Sequence, residues 1–193
     1  MKENTAMNIM DEAIFFATRA HSGSMRKGHK IPYILHPMEV AAVAASITDD
    51  IDVIVAGLLH DVVEDAGVTL DEIREKFGER VAVLVAAETE NKRPDQPKEA
   101  TWRIRKEETM EILRTTDDIG IKILVLGDKV ANMRSFYYQY LEEGDKLWEH
   151  FHQKDPKEQY WYYHTIAELT SELKDTPAWQ EYNRLIALVF EHN

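Results

Sequence analysis

An all-α fold is predicted for this 193-residue chain by three features of its sequence. Apolar residues recur at helical spacing in almost every segment, alternating polar and apolar runs are missing, and helix start and stop signals follow one another at short intervals. Eight to ten helices are expected, with no sheet beyond a short hairpin.

The first helix is expected from about Asn8 to His21, where Ile14 and Ala17 fall on one face, and Ser22-Gly23-Ser24 ends it. Met25 to Lys30 follows as a basic loop. A residue before proline is pushed out of the helical region, so His36 is expected in extended backbone just ahead of a helix running from Pro37 to about Ile47. Asp49 and Asp50 cap a third helix, which continues through the apolar run Ile54 to Leu59 into His60-Asp61-Val62-Val63-Glu64-Asp65. Thr69 and Glu72 form a capping box for the fourth helix, and Gly78 closes it. A short apolar helix from Glu79 to Ala87 comes next. Glu88 to Ala100, polar and holding two prolines, is the longest loop and a candidate lid. Thr101 begins a helix carrying Trp102, Ile104, Met110 and Leu113, whose Arg105 and Lys106 are expected to face solvent rather than a site. Asp117 and Asp118 cap a helix from Ile119 to about Leu141, and its nearly all-apolar first half, Ile121 to Leu126, belongs at the centre of the fold. After a loop over Glu143 to Asp155, Asp155-Pro156 and Thr176-Pro177 each pair a cap with a first-turn proline and start the last two helices, the second running through Leu188.

The length suits one domain over residues 1–193, with helices in 155–191 packed on the rest. No apolar run approaches the ~18 residues of a membrane span, and Met1 to Met10 lacks the layout of a signal peptide, so a cytoplasmic protein without a membrane partner is expected. The absence of cysteine removes thiolate ligands, which leaves nitrogen and oxygen donors for any metal. A net charge of −12, from 23 basic and 35 acidic residues, argues against nucleic acid as a partner. A phosphorylated small molecule is repelled too, unless a local basic cluster and a metal hold it. Homo-oligomerisation is left open.

His60 to Asp65 is the stretch with most chemistry. On a continuous helix residues four apart share a face, so His60 falls beside Glu64 and Asp61 beside Asp65. Three carboxylates within two turns either face water or need a compensating cation. Elsewhere, His36 is either a hydrogen-bonded core residue or a ligand. Asp128, on the apolar helix, is hydrogen-bonded, salt-bridged or metal-bound, with Asn132 one turn beyond on the same face. Arg26 and Lys27 are either a solvated loop or the basic cluster a phosphorylated ligand requires.

Taken in order, His36, His60-Asp61 and Asp128 repeat the ligand order of HD-superfamily metal phosphohydrolases. With their surroundings, His21-x-Gly23-x-x-Arg26-Lys27, Pro32-Tyr33-Ile34-x-His36-Pro37, His60-Asp61-Val62-Val63-Glu64-Asp65 and Asp128-x-x-x-Asn132-Met133-Arg134, they resemble the hydrolase domain of the RelA/SpoT family, which removes the 3′-pyrophosphate of (p)ppGpp. The resemblance covers about residues 8–140. It implies an HD-domain helical bundle and a Mn2+ ion held by His36, His60, Asp61 and Asp128, with Fe2+, Co2+ or Zn2+ as substitutes. It further implies that Glu64 and Asp65 arrange the attacking water, that Arg26 and Lys27 hold the nucleotide, and that Asn132 lies beside the substrate. The implied activity is that of a metal-dependent guanosine-3′,5′-bis(diphosphate) 3′-pyrophosphohydrolase, giving GDP or GTP and pyrophosphate. The alternatives are an HD phosphohydrolase for another phosphorylated nucleotide and a nucleotide-sensing domain without turnover. Two departures from the family pattern, Lys129 and Ala131 in place of its usual Arg and His, leave every predicted metal ligand in place, and the loop 88–100 is also unlike that of the long enzymes. No residues remain for the synthetase domain of the long members, so a stand-alone small hydrolase is expected. Trp102-x-x-Arg105-Lys106 is similar to a segment of such small hydrolases.

Overall fold

The computed structural model describes residues 2–26 and 30–191, with side chains from Ile9 onward. Its helices are α1 (Lys2–Ala20), α2 (Leu35–Ala45), α3 (Ile51–Leu59), α4 (Val62–Asp65), α5 (Leu70–Phe77), α6 (Glu79–Glu88), α7 (Lys98–Thr115), α8 (Ile119–Glu143), α9 (Pro156–Leu169) and α10 (Pro177–Phe190). Two 3-10 segments, Gly144–His150 and Ser171–Leu173, flank α9. Among the described residues the only β pairing is an isolated antiparallel bridge between Met25 and Pro32. No helix among them is long and apolar enough to cross a membrane.

The caps form where local chemistry places them. Asp50, Asp118 and Asp155 each accept a hydrogen bond from the backbone N–H two residues on, and Thr69 and Glu72 make the reciprocal box. Each such cap contributes about 1 kcal/mol by satisfying a donor the helix cannot. Three boundaries differ from expectation. α1 starts at Lys2, because residues 2–7 contain no breaker and the helix simply continues outward. α7 starts at Lys98, directly after Pro97. α2 starts at Leu35, so His36 is inside its first turn rather than extended before it. Pro37 allows this because a first-turn residue has no intrahelical acceptor for its N–H, and the missing donor costs nothing there. The stretch after Glu143 is not a loop throughout: the 3-10 segment buries Leu147 and Trp148.

α8 is the centre of the bundle and packs against α2, α3, α6, α9 and α10. Its Leu124, Leu126, Val130 and Met133 are fully enclosed, as burial of an all-apolar helical stretch requires. Two glycines set how closely its neighbours approach. A Cβ on Gly57 of α3 would lie 3.0 Å from the Ala41 Cα and 3.1 Å from the Ala41 nitrogen on α2, and a Cβ on Gly127 of α8 would lie 3.2 Å from the Val40 carbonyl oxygen. The three helices therefore touch backbone to backbone. That contact brings together the first turn of α2, the end of α3 and the middle of α8.

Candidate metal centre and cleft

His36, His60 and Asp128 come from those three helices, and one ligand atom from each lies within 4.8 Å of the others. All three are buried, at 4%, 2% and 6% exposure, so their polar atoms need partners inside the protein. His60 Nδ1 is 2.9 Å from the Gly57 carbonyl oxygen, a contact that places the proton on Nδ1 and leaves an Nε2 lone pair facing inward. His60 Nε2 approaches Asp61 Oδ2 at 2.9 Å and Asp128 Oδ1 at 3.8 Å but makes no aligned hydrogen bond. His36 Nε2 lies 3.0 Å from Asp128 Oδ1 and 3.6 Å from Asp61 Oδ2. The two imidazole Nε2 atoms and Asp128 Oδ1 thus face one point, with Asp61 Oδ2 beside both imidazoles, and His60 Nε2, which has no aligned partner, fits a cation there. The donor set can hold a divalent metal ion.

The convergence of His60 with Asp61 is a correction to a continuous helix. Neighbours on a helix point about 100° apart, and cannot aim at one spot. Here α3 ends at Leu59, the backbone turns through His60 and Asp61, and α4 restarts at Val62. The turn lets both side chains reach the cluster, and it replaces the expected stacking of His60 on Glu64.

Tyr33, part of the sequence motif but given no role by it, donates a 2.5 Å hydrogen bond to Asp61 Oδ2. On the other side, Lys129 Nζ contacts Asp128 Oδ2 and lies 3.6 Å from Glu88 Oε2. The departure at Lys129 leaves every predicted ligand position unaltered but sets a cation against one of them, because a lysine stem is long enough to fold back onto the preceding residue. Burial pushes the Asp128 carboxyl up, but Lys129, His36 and His60 outweigh it and hold it well below the usual carboxylate range. Burial likewise disfavours a charged His60, yet Asp61, Asp128 and Glu88 raise it to about 10, so that without a metal a proton occupies Nε2 and binding of an ion would have to displace it. Ala131 is buried and carries no group into the cluster.

The cluster opens into a cleft of about 210 Å³ that Arg26, Tyr33, Glu64, Asp65, Asn132 and Tyr162 help to line. Arg26 Nη2 donates to Asn132 Oδ1 at 3.0 Å, and Asn132 Nδ2 donates to Asp128 Oδ1 at 2.7 Å, a chain from the basic loop to the predicted ligand. Lys27 lies outside the described residues. A second groove of about 190 Å³, lined by Ile31, Leu35 and Tyr138, shares Arg26 and His36 with the cleft. A groove of about 710 Å³ beside Trp148 and Phe190 is larger than the cleft yet, among the described residues, holds no grouping of ligand atoms, so size does not mark the site.

The loop 89–97 does lie over the cleft. The Glu90 N–H donates to Glu64 Oε2 at 3.1 Å, and Lys92 Nζ contacts Asp65 Oδ1 and the Glu64 carbonyl oxygen. Burial, then Asp61 and Glu90, push the Glu64 carboxyl up to about 7. Arg105 and Lys106 face the cleft, not solvent, and both donate to Glu90. Trp102, one turn before Lys106, sets this rotation of α7 by packing against Trp161 and Tyr162. Sequence reasoning missed Tyr33, Glu88, Glu90, Lys92, Lys129 and Tyr162. Of these only Tyr33, as part of a quoted motif, and Lys129, as a departure within one, carried a signal.

The HD domain family matches residues 13–155. A guanosine-3′,5′-bis(diphosphate) 3′-pyrophosphohydrolase of Aquifex aeolicus is 36% identical over 138 residues, 72% of this chain and 19% of that relative. A GTP pyrophosphokinase of Myxococcus xanthus is 32% identical over 143 residues, 73% of this chain and 19% of its own length. The chain thus spans about a fifth of the curated relatives it matches. A crystal structure from Listeria monocytogenes EGD-e superposes with a TM-score of 0.71 at 35% identity, covering 81% of this chain and 99% of that one. A metazoan ortholog of SpoT, described as hydrolysing ppGpp, superposes with a TM-score of 0.70 at 22% identity over 92% of this chain and 93% of its own, a likeness of fold.

Proposed function

We propose, from the premise that this chain belongs to the HD domain family, that it is a manganese-dependent hydrolase of guanosine 3′,5′-bis(diphosphate), releasing pyrophosphate from the 3′ position. The observation that carries the reading is the convergence of His36, His60, Asp61 and Asp128 at the floor of a cleft whose walls hold Glu64, Asp65, Arg26 and Asn132. The name borne by the Aquifex aeolicus relative, which matches 72% of this chain, supports the choice of substrate.

His36 and His60 would hold the ion through Nε2, Asp61 through Oδ2 and Asp128 through Oδ1. Two imidazoles and two carboxylates form a hard mixed set suited to manganese, with iron, cobalt or zinc as substitutes. Bound there, a divalent ion polarises a phosphoryl oxygen and eases ionisation of water. Glu64 is positioned to take the proton of the attacking water, and its raised pKa keeps it basic enough to do so near neutral pH. Asp65 orients that water from the next residue. Arg26, tied to Asn132, meets the substrate's charge in a protein whose overall field repels it. Lys27 joins it in this role. Hydrolysis forms a bond from the water oxygen to phosphorus and breaks the bond from phosphorus to the ribose 3′-oxygen, which leaves as a hydroxyl.

The test is to incubate the chain with guanosine 3′,5′-bis(diphosphate), with manganese or with chelator, beside a panel of other phosphorylated nucleotides. GDP and pyrophosphate should form in equal amounts with manganese and not with chelator. Faster turnover of another nucleotide, or none of this one, would overturn the assignment.

A further inference from the structure

Glu90 is an unusual group to find in a cleft for a polyanion. It is carried by the irregular loop 89–97, yet its side chain is only 12% exposed, and its two oxygens are divided between Arg105 Nη1 and Lys106 Nζ, the latter at 2.7 Å. A carboxylate bridging two cations presents two oxygens much as one edge of a phosphate does. The match is incomplete on the protein's side. Among the described residues the Arg105 Nε–H and the Tyr162 hydroxyl are buried without a hydrogen-bond partner, and both residues line the cleft. Lys106 sits over the Tyr162 ring, 4.7 Å from its centroid, so these groups form one cluster. Buried donors without acceptors are costly, and a carboxylate has no third oxygen to offer them. A phosphate does.

We propose that Arg105 and Lys106 form a second anion subsite of the cleft, filled by the Glu90 carboxylate in the free protein and by a substrate phosphate remote from the scissile bond in the complex. The inference rests on the reading that the substrate carries phosphates at two positions. Displacing Glu90 breaks no regular helix. Glu90 is thus a specificity residue: a substrate with phosphates at the scissile position only does not engage the metal cluster and the cation pair together, and leaves Glu90 in place.

The first test needs no turnover. In the chelated, metal-free protein at low salt, inorganic pyrophosphate is titrated calorimetrically into the parent, Glu90→Gln and Lys106→Met, each checked for fold by circular dichroism. Glu90→Gln should bind pyrophosphate at least fivefold more tightly than the parent, and Lys106→Met, which keeps the Glu90 carboxylate but removes one cation of the pair, should bind it more weakly. A lower melting temperature for Glu90→Gln without gain in affinity means a structural role, and overturns the proposal, as does absence of binding to every form. The second test compares manganese-loaded enzyme on guanosine 3′,5′-bis(diphosphate) and on guanosine 3′-diphosphate with a free 5′-hydroxyl. Glu90→Gln should lower KM for the first and leave it unchanged for the second. Equal changes on both, with stronger inhibition by product pyrophosphate, would assign the subsite to the product and overturn its assignment to the substrate. A protein that shows the affinity gain but turns over neither compound fails the proposed activity and keeps the anion subsite.

Discussion

Burial and the nearby Asp61 and Glu90 carboxylates raise Glu64 from its ordinary 4.5 to about 7, which ties one residue to both stability and catalysis. A carboxyl whose pKa is higher folded than unfolded takes up a proton on folding between the two values. Its contribution therefore favours the fold at low pH and is lost as pH rises from 4.5 through about 7. The metal-free parent should lose stability across that window relative to Glu64→Gln, by on the order of 1–3 kcal/mol, as read by thermal melts. Parallel curves would show that Glu64 is not so perturbed. Manganese-loaded Glu64→Gln should retain its metal and lose roughly a hundredfold in kcat, the scale of a general base. His60 gives the complementary prediction. Manganese at a hundredfold excess over its Kd adds about 2.7 kcal/mol to a folded protein that binds it, so the parent's melting temperature should rise by several degrees. In His60→Ala and Asp61→Ala that rise should vanish, and elemental analysis should find no retained metal.

Elements were legible where their signals are local. The caps at Asp50, Thr69, Asp118, Asp155 and Thr176 depend on residues two or three apart, and all five form. The break between α3 and α4 was not legible, because an apolar run followed by acids reads as one continuous amphipathic helix. The close contact of α2 with α3 is a second feature of this kind. Replacing Gly57 by alanine improves helix propensity by about 1 kcal/mol but drives a methyl into the Ala41 backbone. The clash should prevail, at a net cost of about 1–3 kcal/mol. It should also weaken manganese binding, since Gly57 orients His60 through its carbonyl and the opposing helix carries His36. Calorimetric titration of Gly57→Ala with manganese checks this; an affinity within twofold of the parent would mean the helices part without moving the ligands.

Across the whole molecule, a net charge of −12 opposes a polyanionic ligand, so local cations must reverse the field at the cleft. Arg26→Ala should therefore act mainly on KM, by on the order of 1.5–3 kcal/mol for a charge-assisted contact. The defect should grow as ionic strength falls, because screening of the opposing field is then withdrawn. Initial-rate kinetics at two salt concentrations measure it, and a KM unmoved at low salt would remove Arg26 from substrate binding.

The sequence by itself determined the all-α class, most helix boundaries and the ordered set His36, His60, Asp61 and Asp128, because periodicity, caps and motifs are written in neighbouring residues. Tertiary structure alone decided what those groups touch. Tyr33 on Asp61, Lys129 between Asp128 and Glu88, and the turning of Arg105 and Lys106 inward onto Glu90 follow from how α2, α3, α6, α7 and α8 pack. The reason is physical. A charge drawn even partly out of water takes whichever partner the packed helices bring within reach, and for half-buried Arg26 that partner, Asn132, is 106 residues away along the chain.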